Sequence, residues 1–283
     1  MDLLRPLKKL IPNRLKIYIR NIIPNKQINI KKLYPSYVPR GKGTTEQMKD
    51  IANKSINNIF PSLNFLSQSF LEKPFEIINI KEIELNDIEK KTAERLGKMF
   101  KKYGSDKSTK HNYHIVYGKL ISNPEKILKI LEIGLGTNNL DVLGTMGKDA
   151  EPGASIKAFK KICNNASIYG ADIDERILFT EERITTEKVD QLSYESLNNL
   201  KQKFGNGFDL IIDDGLHAAL ANVNTLGVFL SQIKKEGFLV IEDIHETTLP
   251  IWELIYKIIP VDKYDANMYI DKSSSYIFTI QKT

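Results

Sequence analysis

The stretch Ile127-Leu-Lys-Ile-Leu-Glu-Ile-Gly-Leu-Gly136 decides the reading of this chain. A short aliphatic, β-branched run that stops at Gly-x-Gly reads as a strand buried on both faces, the kind that parallel α/β sheets require. Gly134 and Gly136 stand where the chain leaves the strand, and a missing Cβ there permits a tight turn and a close approach of backbone to a ligand. Taken alone, the motif is equally consistent with a plain turn, a dinucleotide site or a nucleoside site.

Downstream of it, strand and helix alternate. Strands are expected at 127–134, 167–173, 185–189, 208–213 and 237–243, and helices at 153–164, 193–204, 219–234 and 248–258. Two last extended runs, 264–270 and 275–280, form an antiparallel pair. This is the pattern of an open, mostly parallel sheet covered on both faces, with one antiparallel strand, and such sheets bind ligands at the carboxyl ends of their strands. Upstream, 44–72 reads as helical with a break at Pro61, and 87–103 as an amphipathic helix with a stripe of Ile88, Ala93, Leu96, Met99 and Phe100. Between 103 and 114 lies a polar loop, followed by a helix that carries Tyr117.

The acids fall at the strand ends. The second strand ends Tyr169-Gly-Ala-Asp-Ile-Asp174, the third Lys188-Val-Asp-Gln191, the fourth Ile211-Ile-Asp-Asp-Gly-Leu-His217 and the fifth Val240-Ile-Glu-Asp-Ile-His245. One carboxylate after a strand is commonly a helix cap; four successive ones facing a single crevice point to a shared ligand site. Asp172 lies at the distance from the glycines that suits ribose hydroxyls, and Asp190 and Gln191 suit an adenine edge. Asp213, Asp214, His217, Glu242 and Asp243 gather over the sheet centre, where carboxylates repel unless a cation or proton intervenes. Oxygen ligands without cysteine suggest Mg²⁺ or a similar divalent ion, and His217 suits a general base. The Gly134 turn is followed by a long loop, 140–152, before the helix that opens Gly153-Ala-Ser155. Amides at that helix start suit a carboxylate, hence a nucleoside with an amino-acid tail rather than a pyrophosphate.

These segments resemble class I S-adenosylmethionine-dependent methyltransferases, and more narrowly the metal-dependent sugar O-methyltransferases. The carriers are Glu132-Ile-Gly-Leu-Gly, Gly170-Ala-Asp-Ile-Asp, Val189-Asp-Gln, Ile212-Asp-Asp-Gly-Leu-His and Val240-Ile-Glu-Asp, with Gly104-Ser-Asp-Lys…His111-Asn-Tyr ahead of the core. The resemblance spans about 103–245 and leaves 1–85 unassigned. It implies a Rossmann-like methyltransferase domain over 86–283 and a basic arm with a helical extension over 1–85. It implies that S-adenosylmethionine is held by Gly134, Gly136, Asp172 and Asp190, that Asp214 and Asp243 bind Mg²⁺, and that His217 is the base; Glu132, Ser155, Gln191 and Asp213 are expected as further cofactor contacts. For the remaining acidic metal ligand, Glu132 and Glu242 compete. Related sequences modify bacterial surface polysaccharides, including a phosphoramidate group, so the expected acceptor is a hydroxyl of a small-molecule or nucleotide-linked sugar, or of a capsule or other polysaccharide precursor. Two alternatives stand beside it: a nicotinamide-dependent oxidoreductase and a non-catalytic, membrane-tethered binding protein.

Composition bounds the rest. The chain has 283 residues and a net charge of +6. Residues 1–40 contain ten bases against Asp2, a net +9 that leaves −3 for the remainder. That division argues against a nucleic-acid binder and marks 1–40 as an arm suited to a peripheral membrane contact or to packing on a subunit, with a helix expected between Asn13 and Ile23. A homo-oligomer is expected. The single cysteine, Cys163, excludes an internal disulfide and, with no apolar run of about 18 residues and no secretory leader, points to a cytoplasmic protein.

Overall fold

The computed structural model describes residues 29–39, 41–71 and 73–283. The helix expected between Asn13 and Ile23, and most of the basic arm, lie outside the described residues. The chain divides into two compact units, Met1–Ser62 and Leu63–Thr283. In the first, a single turn, Ile30–Leu33, is capped by the Asn29 side chain. Helix α1, Thr45–Ser67, is opened by Thr44 and Gln47, each accepting the other's amide through its side chain. It runs on through Pro61, where the sequence suggested a break. Proline's φ is already helical and only one amide donor is lost; at an exposed position the helix tolerates this.

The second unit is built on a nine-stranded sheet. Its strands are β1 Ile77–Asn79, β2 Lys129–Ile133, β3 Ser167–Asp172, β4 Thr180–Glu181, β5 Ile184–Lys188, β6 Phe208–Asp213, β7 Ile233–Ile244, β8 Tyr264–Ile270 and β9 Tyr276–Lys282. Their spatial order is β1-β8-β9-β7-β6-β2-β3-β5-β4. β9 runs antiparallel to both β7 and β8, and the short β4 is antiparallel to β5, so two strands oppose the rest where the sequence suggested one. β1, upstream of the boundary expected at 86, pairs in parallel with β8.

The helices are α2 Asp87–Tyr103, α3 Tyr113–Leu120, α4 Ala154–Ile162, α5 Tyr194–Phe204, α6 Ala219–Phe229 and α7 Leu249–Ile258. α2 begins with a capping box, Asn86 with Glu89, and ends on Gly104 in the left-handed conformation, so both of its ends are set by local sequence. Successive strand residues face opposite sides, and the core divides accordingly. Ile130, Ile168, Ile212 and Val240 pack with α2, α3 and α4 through Leu96, Phe100, Tyr117 and Phe159. Leu131, Ile133, Ile211 and Ile241 pack with α5, α6 and α7 through Leu197, Leu200, Phe229 and Trp252. Phe100, Tyr117 and Phe159 meet edge to face at 5.3–6.2 Å between ring centres. Where α2 and α3 cross, a Cβ on Gly118 would lie 2.5 Å from the Ala93 Cβ, so only glycine allows the approach.

Register aligns the chemistry. Ile133 pairs with both Ala171 and Asp213, and Asp213 with Ile241. The next residue on each strand, Gly134, Asp172, Asp214 or Glu242, therefore emerges along one edge of the sheet.

Candidate functional site

A cleft of about 730 Å³ opens at that edge. Of the residues singled out from sequence, Gly134, Gly136, Ser155, Asp172, Asp190, Gln191, Asp214, His217 and Asp243 line it. The glycines sit at positive φ, +95° at Gly134 and +76° at Gly136. A Cβ on Gly134 would fall 2.1 Å from the Asp214 carbonyl oxygen, so this glycine first of all lets the end of β2 seat against the end of β6. Asp172 accepts the Leu135 amide at 2.7 Å and the Asp174 amide at 2.9 Å, which fixes its carboxylate beside the glycine turn.

The long loop after Gly136 is anchored at its base. Asp174 accepts from Thr137 Oγ1 at 2.6 Å and Asn139 Nδ2 at 2.8 Å, while Arg176 spans Asp174 and Asp141. Val142, Leu143, Thr145 and Met146 of this loop form part of the cleft wall.

Glu132 and Asp213 are not part of that wall, a difference from the sequence expectation. Glu132 shares a sheet face with Ile130 and so points at the helices; it is fully buried, accepts Ser155 Oγ at 2.7 Å and lies 3.2 Å from Lys107 Nζ. Asp213, also fully buried, accepts Gln191 Nε2 at 2.7 Å and Asn222 Nδ2 at 3.1 Å. Burial raises the pKa of both carboxyls. Gln191 spends its amide on Asp213, on Thr225 and on the Leu216 backbone N–H, so its side chain ties β5 to the loop after β6.

In the same cleft, ligand atoms of Asp214, His217 and Asp243 lie within 4.8 Å of one another. His217 Nε2 is 3.9 Å from Asp214 Oδ1 and 3.9 Å from Asp243 Oδ2. Neither distance is a hydrogen bond, so the imidazole nitrogen stays uncommitted. His217 and Asp243 both adopt left-handed backbone, at φ +53° and +52°, an uncommon conformation that clusters at functional sites. Two carboxylates and an imidazole form a suitable donor set for a divalent ion. Glu242, a contender for a further ligand, turns with Glu132 toward the helix side.

The sequence reading missed what lies behind these acids. Lys107, 1% exposed, comes from the loop between α2 and α3, with its ammonium 2.5 Å from Asp214 Oδ2, in contact with Glu242 and 3.2 Å from Glu132. Burial opposes its charge, but the carboxylates of Asp214, Glu242 and Glu132 outweigh that and hold it well above the usual lysine range. Tyr117 donates to Glu242, whose carboxyl is pushed up by burial. Tyr113 donates to Asp243 Oδ1 at 2.6 Å. Burial works against the Asp243 charge, yet the Tyr113 hydroxyl and the neighbouring His111 and His217 prevail and keep its carboxyl below the usual range. The signal available in the sequence was the surplus of acids itself, which called for a cation that Gly104-Ser-Asp-Lys supplies.

No family model matches the chain. It is similar to an 8-demethyl-8-α-L-rhamnosyl tetracenomycin-C 2'-O-methyltransferase of Streptomyces olivaceus, 26% identical over 156 residues, 55% of this chain and 39% of that protein. It is also similar to the mycinamicin VI 2''-O-methyltransferase of Micromonospora griseorubida, 30% identical over 116 residues, 41% of this chain and 27% of that protein. The chain thus spans well under half the length of these curated relatives. Among solved structures, the MycE methyltransferase of the mycinamycin pathway in complex with Mg, SAH and mycinamycin VI superposes with a TM-score of 0.53, at 22% identity, over 66% of this chain and 54% of that one.

Proposed function

We propose that this chain, whose fold is that of the class I S-adenosylmethionine-dependent methyltransferases, transfers a methyl group to a hydroxyl of a sugar. The observation that carries the proposal is that Asp214, His217 and Asp243 gather in the same cleft that the glycine turn and Asp172 line. The relatives are sugar O-methyltransferases by name, and the MycE structure carries Mg and SAH. Gly134, Gly136 and Asp172 would hold the methyl donor. Asp214 and Asp243 would hold a divalent ion, which when bound would supply positive charge that lowers the pKa of a hydroxyl beside it.

The chain's own residues supply position and proton transfer. The acceptor oxygen is held in line with the methyl carbon and the sulfur. His217 Nε2 takes the hydroxyl proton as the oxygen–carbon bond forms, and the carbon–sulfur pair returns to sulfur, leaving a neutral thioether. Nε2, 3.9 Å from each carboxylate and hydrogen-bonded to neither, is free to accept that proton. A nucleotide-linked sugar or a capsule or other surface-polysaccharide precursor, including a phosphoramidate-type group, is a finer assignment resting on sequence resemblance alone. A cytoplasmic site of action rests on the single cysteine and the lack of a long apolar run, and a membrane contact through residues 1–40 on their basic charge; a homo-oligomer is proposed beside them.

Calorimetric titration tests the core of the proposal. S-adenosylhomocysteine is expected to bind and NADH not to; the reverse would return the chain to the oxidoreductases. Activity on a sugar acceptor should vanish with EDTA and return with added Mg²⁺. Activity indifferent to EDTA would remove the ion.

A further inference from the structure

Each of the two carboxylates assigned to the ion has one oxygen turned away from His217, and each of those oxygens is engaged by a residue from one short segment. Lys107 Nζ lies 2.5 Å from Asp214 Oδ2, leaving Asp214 Oδ1 toward His217. The Tyr113 hydroxyl donates at 2.6 Å to Asp243 Oδ1, which Ser275 Oγ also approaches at 3.2 Å, leaving Asp243 Oδ2 toward His217. The segment is itself fixed. His111 stacks on Tyr113 with ring centres 4.5 Å apart and planes 14° apart. His111 Nδ1 is 2.6 Å from Asp271 Oδ2, and Asp271 is fastened by the Ser273 and Ser275 amides at 2.8 and 2.9 Å. Lys107, His111, Tyr113 and Asp271 are all buried.

We infer that Lys107 and Tyr113 are positioning residues: by occupying the rear oxygens of Asp214 and Asp243, they present the front oxygens to the cleft as a pre-set pair. Both come from Gly104-Ser-Asp-Lys…His111-Asn-Tyr, a motif that the reaction itself leaves without a role. The physical reason is the cost of arranging like charges. Two carboxylates facing one cavity rotate apart unless something fixes them, and an ion that must first reorient its ligands binds more weakly. Lys107 adds the single positive charge that lets Asp214 approach Glu132 and Glu242 at all. Neither residue touches the acceptor in this scheme.

The inference rests on the reading of Asp214 and Asp243 as ion ligands, so its test measures the ion directly. Mn²⁺ affinity is followed by electron paramagnetic resonance on the full chain, and S-adenosylhomocysteine affinity by calorimetry. Tyr113→Phe removes one hydroxyl from a packed ring. It is expected to weaken Mn²⁺ by about 10- to 100-fold, the usual cost of losing an outer-layer partner, with cofactor affinity within about twofold of wild type. Lys107→Met alone would crowd uncompensated acids, so Lys107→Met/Glu242→Gln, which removes one charge of each sign, carries the second arm with the same expectation. Unchanged Mn²⁺ affinity in Tyr113→Phe overturns the inference, as does a parallel fall in both affinities, which marks a general structural defect. A wild-type chain that binds no Mn²⁺ fails the parent reading instead.

Discussion

At the scale of single residues, the side chains that line the cleft and those buried behind it differ in how openly the sequence displays them. Asp172 and Asp243 stand within the last two positions of β3 and β7, and Asp214 and His217 lie within four residues of the end of β6; a strand's end is visible as the end of an apolar run. Lys107 is not visible in that way, because its partners lie 107 and 135 residues further on and its loop carries a second lysine, Lys110. Glu132 and Asp213 show the converse limit: adjacency to the motif placed them near the ligand, but strand alternation turns Glu132 to the helix side, and Gln191 and Asn222 claim Asp213. His217→Ala is expected to lower turnover by about 10²–10⁴-fold while leaving S-adenosylhomocysteine and Mn²⁺ affinities near wild type. Loss of Mn²⁺ affinity in that variant would make His217 a ligand rather than a base.

Elements were legible in proportion to the strength of their period. α2 matches the expected range of 87–103 because an amphipathic stripe, a capping box and a terminal glycine agree. The central strands fall within a residue or two of expectation at their C-terminal ends, where the glycines and acids stand. β7 starts earlier than expected, at Ile233, since Lys234, Lys235 and Glu236 disguise its first half as helix surface. Pro61 misled in the opposite direction. The helix crossing that supports the Lys107 loop gives a test at this scale. Gly118→Ala pushes a methyl into the Ala93 backbone and side chain, and overpacking of this kind costs about 1–3 kcal/mol. Thermal unfolding should show a lowered midpoint; an unchanged one would mean that α2 and α3 can separate without cost.

For the molecule as a whole, buried protons dominate the alkaline side. Burial, then the nearby Asp209 and Glu125, push the Cys163 thiol up to about 12. Burial and then Asp243 raise the Tyr113 phenol, and burial and then Glu242 raise that of Tyr117. A group whose folded pKa is raised binds more protons when folded, so stability is fully present below its unfolded value and declines as pH climbs toward the folded one. For Cys163 that window opens near 9 and closes near 12. Stability should therefore fall between pH 9 and 12, by about 1.4 kcal/mol per pH unit for each proton retained. Urea unfolding of wild type and Cys163→Ala at several pH values checks this: the variant is expected to show the shallower decline, and equal slopes would refute the assignment.

Gly134 has a consequence that reaches past its own turn. The Asp214 amide donates to the Ile133 carbonyl at 2.8 Å, and the Asp214 carbonyl occupies the space where a Gly134 side chain would begin. The strand proposed to seat the methyl donor and the residue proposed to anchor the ion thus meet at one joint. A ligand that shifts that joint would alter the other's affinity. By linkage, the factor by which the methyl donor changes ion affinity equals the factor by which the ion changes donor affinity. Measuring Mn²⁺ affinity with and without S-adenosylhomocysteine would give the sign and size of that factor, and a factor of one would mean that the joint transmits nothing.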